Sequence, residues 1–80
     1  MKKFLRRGAL AKALGITTPT VKYYTTLGLF PVHKRTDHGQ YLYDEDEIRG
    51  RFHRIREFKE KRLTIEEIKD RLKIEVLINE

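Results

Sequence analysis

Residues 17–31 of this chain read TTPTVKYYTTLGLFP, and their punctuation admits little besides one short helix. Thr18 can cap it, because a threonine oxygen accepts from the unpaired N–H groups of a first turn. Pro19 then falls at the first helical position, where its missing N–H costs nothing. At the other end Gly28 supplies a left-handed residue, Leu29 folds back as its apolar partner, and Pro31 prevents continuation. Inside these limits Val21 and Tyr24, three residues apart, share the inner face. Neighbouring residues cannot both point inward, so Tyr23 is expected to face out beside Lys22. A helix this short does not stand alone in water and must pack on others.

The rest of the chain supplies them. Arg7 to Leu14 reads as a helix with Leu10, Ala11 and Leu14 inward and Gly15 as its stop. Two short helices joined by a few residues containing Gly make the helix-turn-helix plan. Ala11, Gly15 and Val21 fit it, with a small residue at the crossing, glycine in the turn and a β-branched residue beneath the second helix. Val32 to Tyr43 places Asp37-His38-Gly39 between two short segments, the pattern of a β-hairpin wing. Asp44 with Glu47 opens a long helix whose stripe is Ile48, Phe52, Ile55 and Phe58, ending near Arg62. Thr64 with Glu67 opens the last helix, with Ile65, Ile68 and Leu72 inward. The tail beyond, apolar at Ile74, Val76, Leu77 and Ile78, suits either a strand or more helix. The expected architecture is mainly α with a small β-hairpin wing, a winged helix-turn-helix. One domain is assigned to residues 1–72 and a short apolar tail to 73–80.

Charge narrows the function. Of the 80 residues, Met1 to Thr36 include eight Lys or Arg and no acid, whereas Asp37 to Glu80 hold ten bases against twelve acids. The first half therefore carries +8 and the second −2, and ordinary surfaces intersperse both signs. A polyanion partner is expected. With no cysteine there is neither a disulfide nor a thiolate metal site. His33, His38 and His53 lack ligand spacing, so no metal and no cofactor are expected. Serine is absent, no Gly-rich phosphate loop follows a strand, and the acids of Asp44 to Glu47 suit a helix first turn. Catalysis is not expected. No apolar run reaches a membrane span, and the basic amino terminus lacks a signal-peptide core, so a cytoplasmic chain is expected.

The outer face of the second helix then offers Thr18, Pro19, Thr20, Lys22, Tyr23 and Thr26. Lys22 and the Tyr23 hydroxyl can donate to phosphates. Thr18, Pro19 and Thr20 stand at the amino end, the part of a recognition helix nearest the base edges. In the wing, His33, Lys34, Arg35 and His38 can reach the backbone or groove alongside. The long helix spreads Arg49, Arg51, Arg54 and Arg56 around its circumference, with one or two expected to face DNA and the rest to pair with Glu57, Glu60 or solvent.

These residues resemble the DNA-binding domain of the MerR family of bacterial transcription regulators, from about Phe4 to Leu72. Thr20-Val21-Lys22-Tyr23-Tyr24-Thr25-Thr26-Leu27-Gly28-Leu29-Phe30-Pro31 is similar to the family's T-I-R-Y-Y-E-x-x-G-L-L-P. Gly39-Gln40-Tyr41-Leu42-Tyr43 resembles G-Y-R-x-Y, and Arg62-Leu63-Thr64-Ile65-Glu66-Glu67-Ile68 resembles G-x-S-L-E-E-I. The resemblance implies a second helix in the major groove, phosphate contacts at Lys22, Tyr23 and Arg35, and base approach at Thr18, Pro19 and Thr20. Lys34 and Tyr41 belong to the same implied wing surface. The departures are Lys22 for Arg, which keeps charge without the bidentate fork, Thr25 for Glu, and Tyr41 for Arg. Family regulators continue into a long dimer helix and an effector domain. The segment after Leu72 is too short for a multi-heptad coiled coil, so no small-molecule effector site is expected in this chain, and it is expected to be a monomer or weak dimer when free. The expected partner is duplex DNA, read as a regulator reads it. The alternatives are an architectural, excisionase-like or chromosome-anchoring DNA-binding protein, and a protein-interaction module docking through the tail.

Overall fold

The computed structural model describes residues 3–79, with side chains as far as Lys73. In chain order the elements are β1 (Phe4–Leu5), α1 (Arg7–Leu14), α2 (Thr18–Thr26), β2 (Lys34–Arg35), β3 (Tyr41–Asp44), α3 (Glu45–Glu60) and α4 (Ile65–Asn79). The three strands form an antiparallel sheet in the order β1-β3-β2. The winged helix-turn-helix expected from the sequence is therefore the fold. β1, which sequence reasoning did not assign, adds a third strand by pairing Phe4 with Asp44 and Leu5 with Tyr43. Two residues are too few for an alternating pattern to register. The apolar tail is a continuation of helix, since α4 runs unbroken to Asn79.

Three helices end the same way. After α1, Gly15 (φ 71°) lets the Ile16 N–H reach the Ala11 carbonyl at 3.0 Å. After α2, Gly28 (φ 81°) lets the Gly28 and Leu29 N–H groups reach the Thr25 and Tyr24 carbonyls, and Leu29 turns into the core. That is the pair of bonds and the apolar fold-back of a Schellman ending. After α3 the Arg62 and Leu63 N–H groups repeat the pattern on Lys59 and Phe58, but the left-handed residue is Arg62, at φ 59°.

The helix starts are equally local. The Asp44 carboxylate accepts from the Asp46 and Glu47 N–H groups to open α3. Thr64 and Glu67 form the complete reciprocal box ahead of α4, Thr64 N–H to Glu67 Oε1 at 3.0 Å and Glu67 N–H to Thr64 Oγ1 at 3.2 Å. The bonds from the Thr64 N–H and then its hydroxyl hold the Glu67 carboxyl below its ordinary value. A depressed carboxyl contributes stability at neutral pH and loses it as acidification protonates the group. The start of α2 corrects an expectation. Thr17, not Thr18, is the cap: its Oγ1 accepts from the Thr20 N–H at 3.3 Å and meets the Thr20 hydroxyl at 2.8 Å. Thr18 is thus the first helical residue and Pro19 the second, equally harmless because that N–H also lacks an intrahelical acceptor.

One core joins every helix to β3. Leu10 and Ala11 of α1, Val21 and Tyr24 of α2, Tyr43 of β3, Ile48, Ile55 and Phe58 of α3, and Ile68 and Leu72 of α4 are buried together with Leu29 and Phe30. Phe30 meets Tyr24 edge-on at 5.2 Å and Phe52 at 6.3 Å, geometries that add to the area term. Ile65 and Phe52 are only partly covered.

Two substitutions test this account. An L-residue in the left-handed region costs on the order of 1 kcal/mol, so Arg62→Gly should raise the melting temperature by roughly 4–8 °C in a domain this size. Tyr24→Ala removes a buried ring at a cost on the order of 3–5 kcal/mol and should abolish the cooperative thermal transition followed by circular dichroism.

Candidate nucleic-acid interface

The burial of α2 divides its residues as the periodicity requires. Tyr24 is 5% exposed and Tyr23 is 54% exposed, the two rings 5.9 Å apart by their centroids. Lys22, Thr18, Pro19 and Thr26 are exposed on the outer side, and Thr20 is half-buried with its hydroxyl engaged at the cap. The helix carries no acid.

Two polar contacts hold this face in position. The Lys59 ammonium on α3 donates to the Tyr24 hydroxyl at 2.7 Å and lies 5.2 Å from its ring centroid. On the other side Thr25 Oγ1 donates to the Val21 carbonyl at 2.8 Å and lies 2.7 Å from the buried Tyr43 hydroxyl. A threonine has one proton to give, so the Tyr43 hydroxyl is the donor to Thr25. The chain of bonds ties α2 to the wing strand.

The wing turns at Gly39 (φ 77°), closed by the Thr36 N–H to the Gln40 carbonyl at 2.7 Å and the Gln40 N–H to the Thr36 hydroxyl at 3.1 Å. Arg35 pairs with Tyr41 in the register, and its Nη2 donates to the Tyr41 hydroxyl at 3.1 Å while its guanidinium carbon lies 5.0 Å from the ring centroid. The two side chains form one unit. Lys34, the preceding strand residue, points to the opposite face of the hairpin because successive strand side chains alternate. The structure therefore brings Arg35 and Tyr41 to the side shared with α2 and sets Lys34 apart. His33 stacks on Phe4 at 4.4 Å, at the base of the wing rather than its tip, and His38 is exposed in the turn.

Between α1, α2 and the wing lie two adjoining grooves. One, of about 280 Å³, is lined by Arg7, Lys22, Thr25, Thr26, Gly39, Tyr41 and Tyr43. The other, of about 510 Å³, runs beside Arg6, Arg7, Thr18, Gln40 and Tyr41. Among the described residues, neither has a carboxylate in its lining. Sequence reasoning did not single out Arg7. The signal was present, because 7, 10, 11 and 14 fall on one helical face and Arg7 is the one cation on that apolar stripe.

Several cations of α3 are engaged. Arg49 chelates Glu45 Oε2 through Nε (3.0 Å) and Nη2 (2.8 Å), Arg54 bonds Glu57 Oε2 at 2.8 Å, and His53 meets Glu57 Oε1 at 2.8 Å. Arg54 and Arg56 also lie over the Phe58 and Phe52 rings. Arg54 pairs with Glu57, one of the acids the sequence offered, whereas Arg49 pairs with Glu45, one turn back, which it did not name. Lys22 on α2 and Arg35 in the wing make no ion pair with any described residue.

The family model described as MerR HTH family regulatory protein matches residues 5–74. Among individual proteins, the nodulation protein NolA of Bradyrhizobium elkanii is 38% identical over 64 residues, covering 80% of this chain and 29% of that protein. The mercuric resistance operon regulatory protein of Bacillus cereus is 36% identical over 63 residues, 79% of this chain and 47% of that one. A ZntR homologue of Haemophilus influenzae, an HTH-type transcriptional regulator, is 46% identical over 44 residues, 55% of this chain and 33% of its own length. This chain spans less than half the length of each of these three. No solved structure gives a significant match. The match over residues 5–74 takes in both helices of the motif, the wing, α3 and most of α4, and the chain belongs to the MerR family of helix-turn-helix regulatory proteins.

Proposed function

We propose that this chain binds duplex DNA with sequence preference and serves as the DNA-reading domain of a transcription regulator. On this reading α2 enters the major groove, Thr18, Pro19 and Thr20 approach base edges, and Lys22, Tyr23, Arg35 and Tyr41 hold the flanking backbone. Lys34 supports the contact from the outer face of the wing. One observation carries the reading: α2 has no acid, and Lys22 and Arg35 make no ion pair with any described residue, while Arg49 and Arg54 of α3 are drawn to Glu45 and Glu57. A polyanion is the partner those two cations lack.

Threonines at the amino end of α2 suit hydrogen bonds to several bases and contact with a thymine methyl. The sequence preference is therefore expected to come from the combined shape of helix and wing rather than from one bidentate pair. The chain is proposed to be a monomer or weak dimer when free, with two copies on adjacent half-sites in the manner of other helix-turn-helix readers.

Neutralising phosphates releases counterions, so affinity should fall steeply as salt rises. Lys22→Ala should weaken binding to specific and random duplexes alike and reduce the log–log salt slope by roughly one. Tyr23→Ala should lower DNA affinity and leave the melting temperature nearly unchanged. Fluorescence anisotropy across a salt series, with a thermal melt of each variant, measures both. A chain that fails to bind duplex DNA at low salt would sink the proposal.

A further inference from the structure

We propose that Arg7 is a phosphate clamp, holding one phosphodiester of the DNA backbone in the seam between α2 and the wing. The inference rests on the DNA-binding reading above and adds a contact on a different element, the first helix of the motif. Arg7 stands at the start of α1 on the helical face of Leu10, Ala11 and Leu14, so its stem runs along the seam rather than out into water. It is half-buried and makes no ion pair with any described residue. Holding a cation partly out of water without a counter-charge costs free energy. On α3 the half-buried Arg54 offsets that cost by pairing with Glu57 at 2.8 Å.

The position of Arg7 is particular. It lines both grooves at once, with Lys22, Thr26 and Gly39 on one side and Thr18, Gln40 and Tyr41 on the other. Those residues come from the outer face of α2 and the tip of the wing, the two elements proposed to straddle the duplex backbone. Among the described residues the grooves supply hydroxyls and two further cations, Lys22 in one and the exposed Arg6 in the other, and no carboxylate. A guanidinium fork matches two oxygens of one phosphate, with Lys22 beside it as a point charge. The geometry selects an oxyanion, and the open seam between groove-reading elements selects one that is part of a strand.

Arg7→Gln keeps a polar side chain of similar reach and removes the charge. It should lower affinity for a specific and a random 20-base-pair duplex by a similar factor, roughly tenfold at 0.1 M salt, and reduce the log–log slope by about 0.9. Arg7→Lys should retain the slope and lose part of the affinity, which separates charge from the fork. Should the glutamine variant melt early, the lysine variant still decides, because affinity equal to wild type would exclude the bidentate clamp. Three results overturn the inference. An unchanged slope in Arg7→Gln, with Lys22→Ala still reducing it, removes Arg7 and leaves the DNA reading standing. A loss confined to the specific duplex makes Arg7 a base reader. An unchanged DNA slope, together with millimolar inorganic phosphate raising the melting temperature of the wild type but not of Arg7→Gln, assigns the seam to a small free anion. If the wild type itself binds no duplex, both readings fall together.

Discussion

The rotation of α2 about its own axis depends on how one ring is buried. Tyr24 sits in the core against the edge of Phe30, and its hydroxyl ends on the Lys59 ammonium at 2.7 Å. A phenol buried this deeply needs a partner for its oxygen, and Lys59 provides one from α3 without adding a buried charge, since the lysine itself is exposed. Once Tyr24 is placed, every other residue of a nine-residue helix is placed with it. Lys22 and Tyr23 face out because Val21 and Tyr24 face in. Function at the surface is in this sense a by-product of core packing, and that packing is aromatic over the stretch from Tyr24 through Phe30 to Phe52.

A second tether sets the spacing of helix and wing. Tyr43 is wholly buried, and its hydroxyl donates to Thr25, whose own hydroxyl donates to the Val21 carbonyl. The bond links β3 to the middle of α2, between the residues that pack inward and those that face out. The same β3 pairs with β1 on one side and β2 on the other, so the wing is braced from behind by the amino terminus. The residue at position 25 is neutral, and so is the residue at 41, which shares a groove with it. With no carboxylate there, Arg7 and Lys22 keep their full charge for an external anion.

What could be read from the sequence, and what could not, divides along the range of the interactions. Gly15 and Gly28, the Asp44 cap and the Thr64–Glu67 box act within five residues of themselves, and each ended or opened its helix where local chemistry placed it. The periodicity of α2 likewise separated Tyr23 from Tyr24. The misassigned cap shows where local rules become degenerate. Thr17 and Thr18 carry the same hydroxyl, and Pro19 is tolerated at either of the first two helical positions, so the choice falls to a contact one turn on, the Thr20 hydroxyl. The unassigned strand β1 depends on pairing with a segment distant in the chain, and the Arg35–Tyr41 unit on the register of the hairpin, neither of which composition encodes.

Arg7 belongs to the second class, although its pattern was visible. A cation on an apolar stripe has two ordinary fates. It can swing its head to water over the helix end, or it can meet an acid from a packed neighbour. Which occurs is decided by the neighbours, here α2 and the wing: α2 has no acid, and the wing's Asp37 is exposed in the turn and lines neither groove. The acid-free first half of the chain is thus more than a charge count. It leaves α1 and α2 without an acid that could neutralise the seam, while most acids of the second half sit on α3 and α4, where Glu45 and Glu57 pair with arginines of their own helix. Charge segregation along the sequence becomes charge segregation in space because α1, α2 and the wing are consecutive in the chain and fold onto one another.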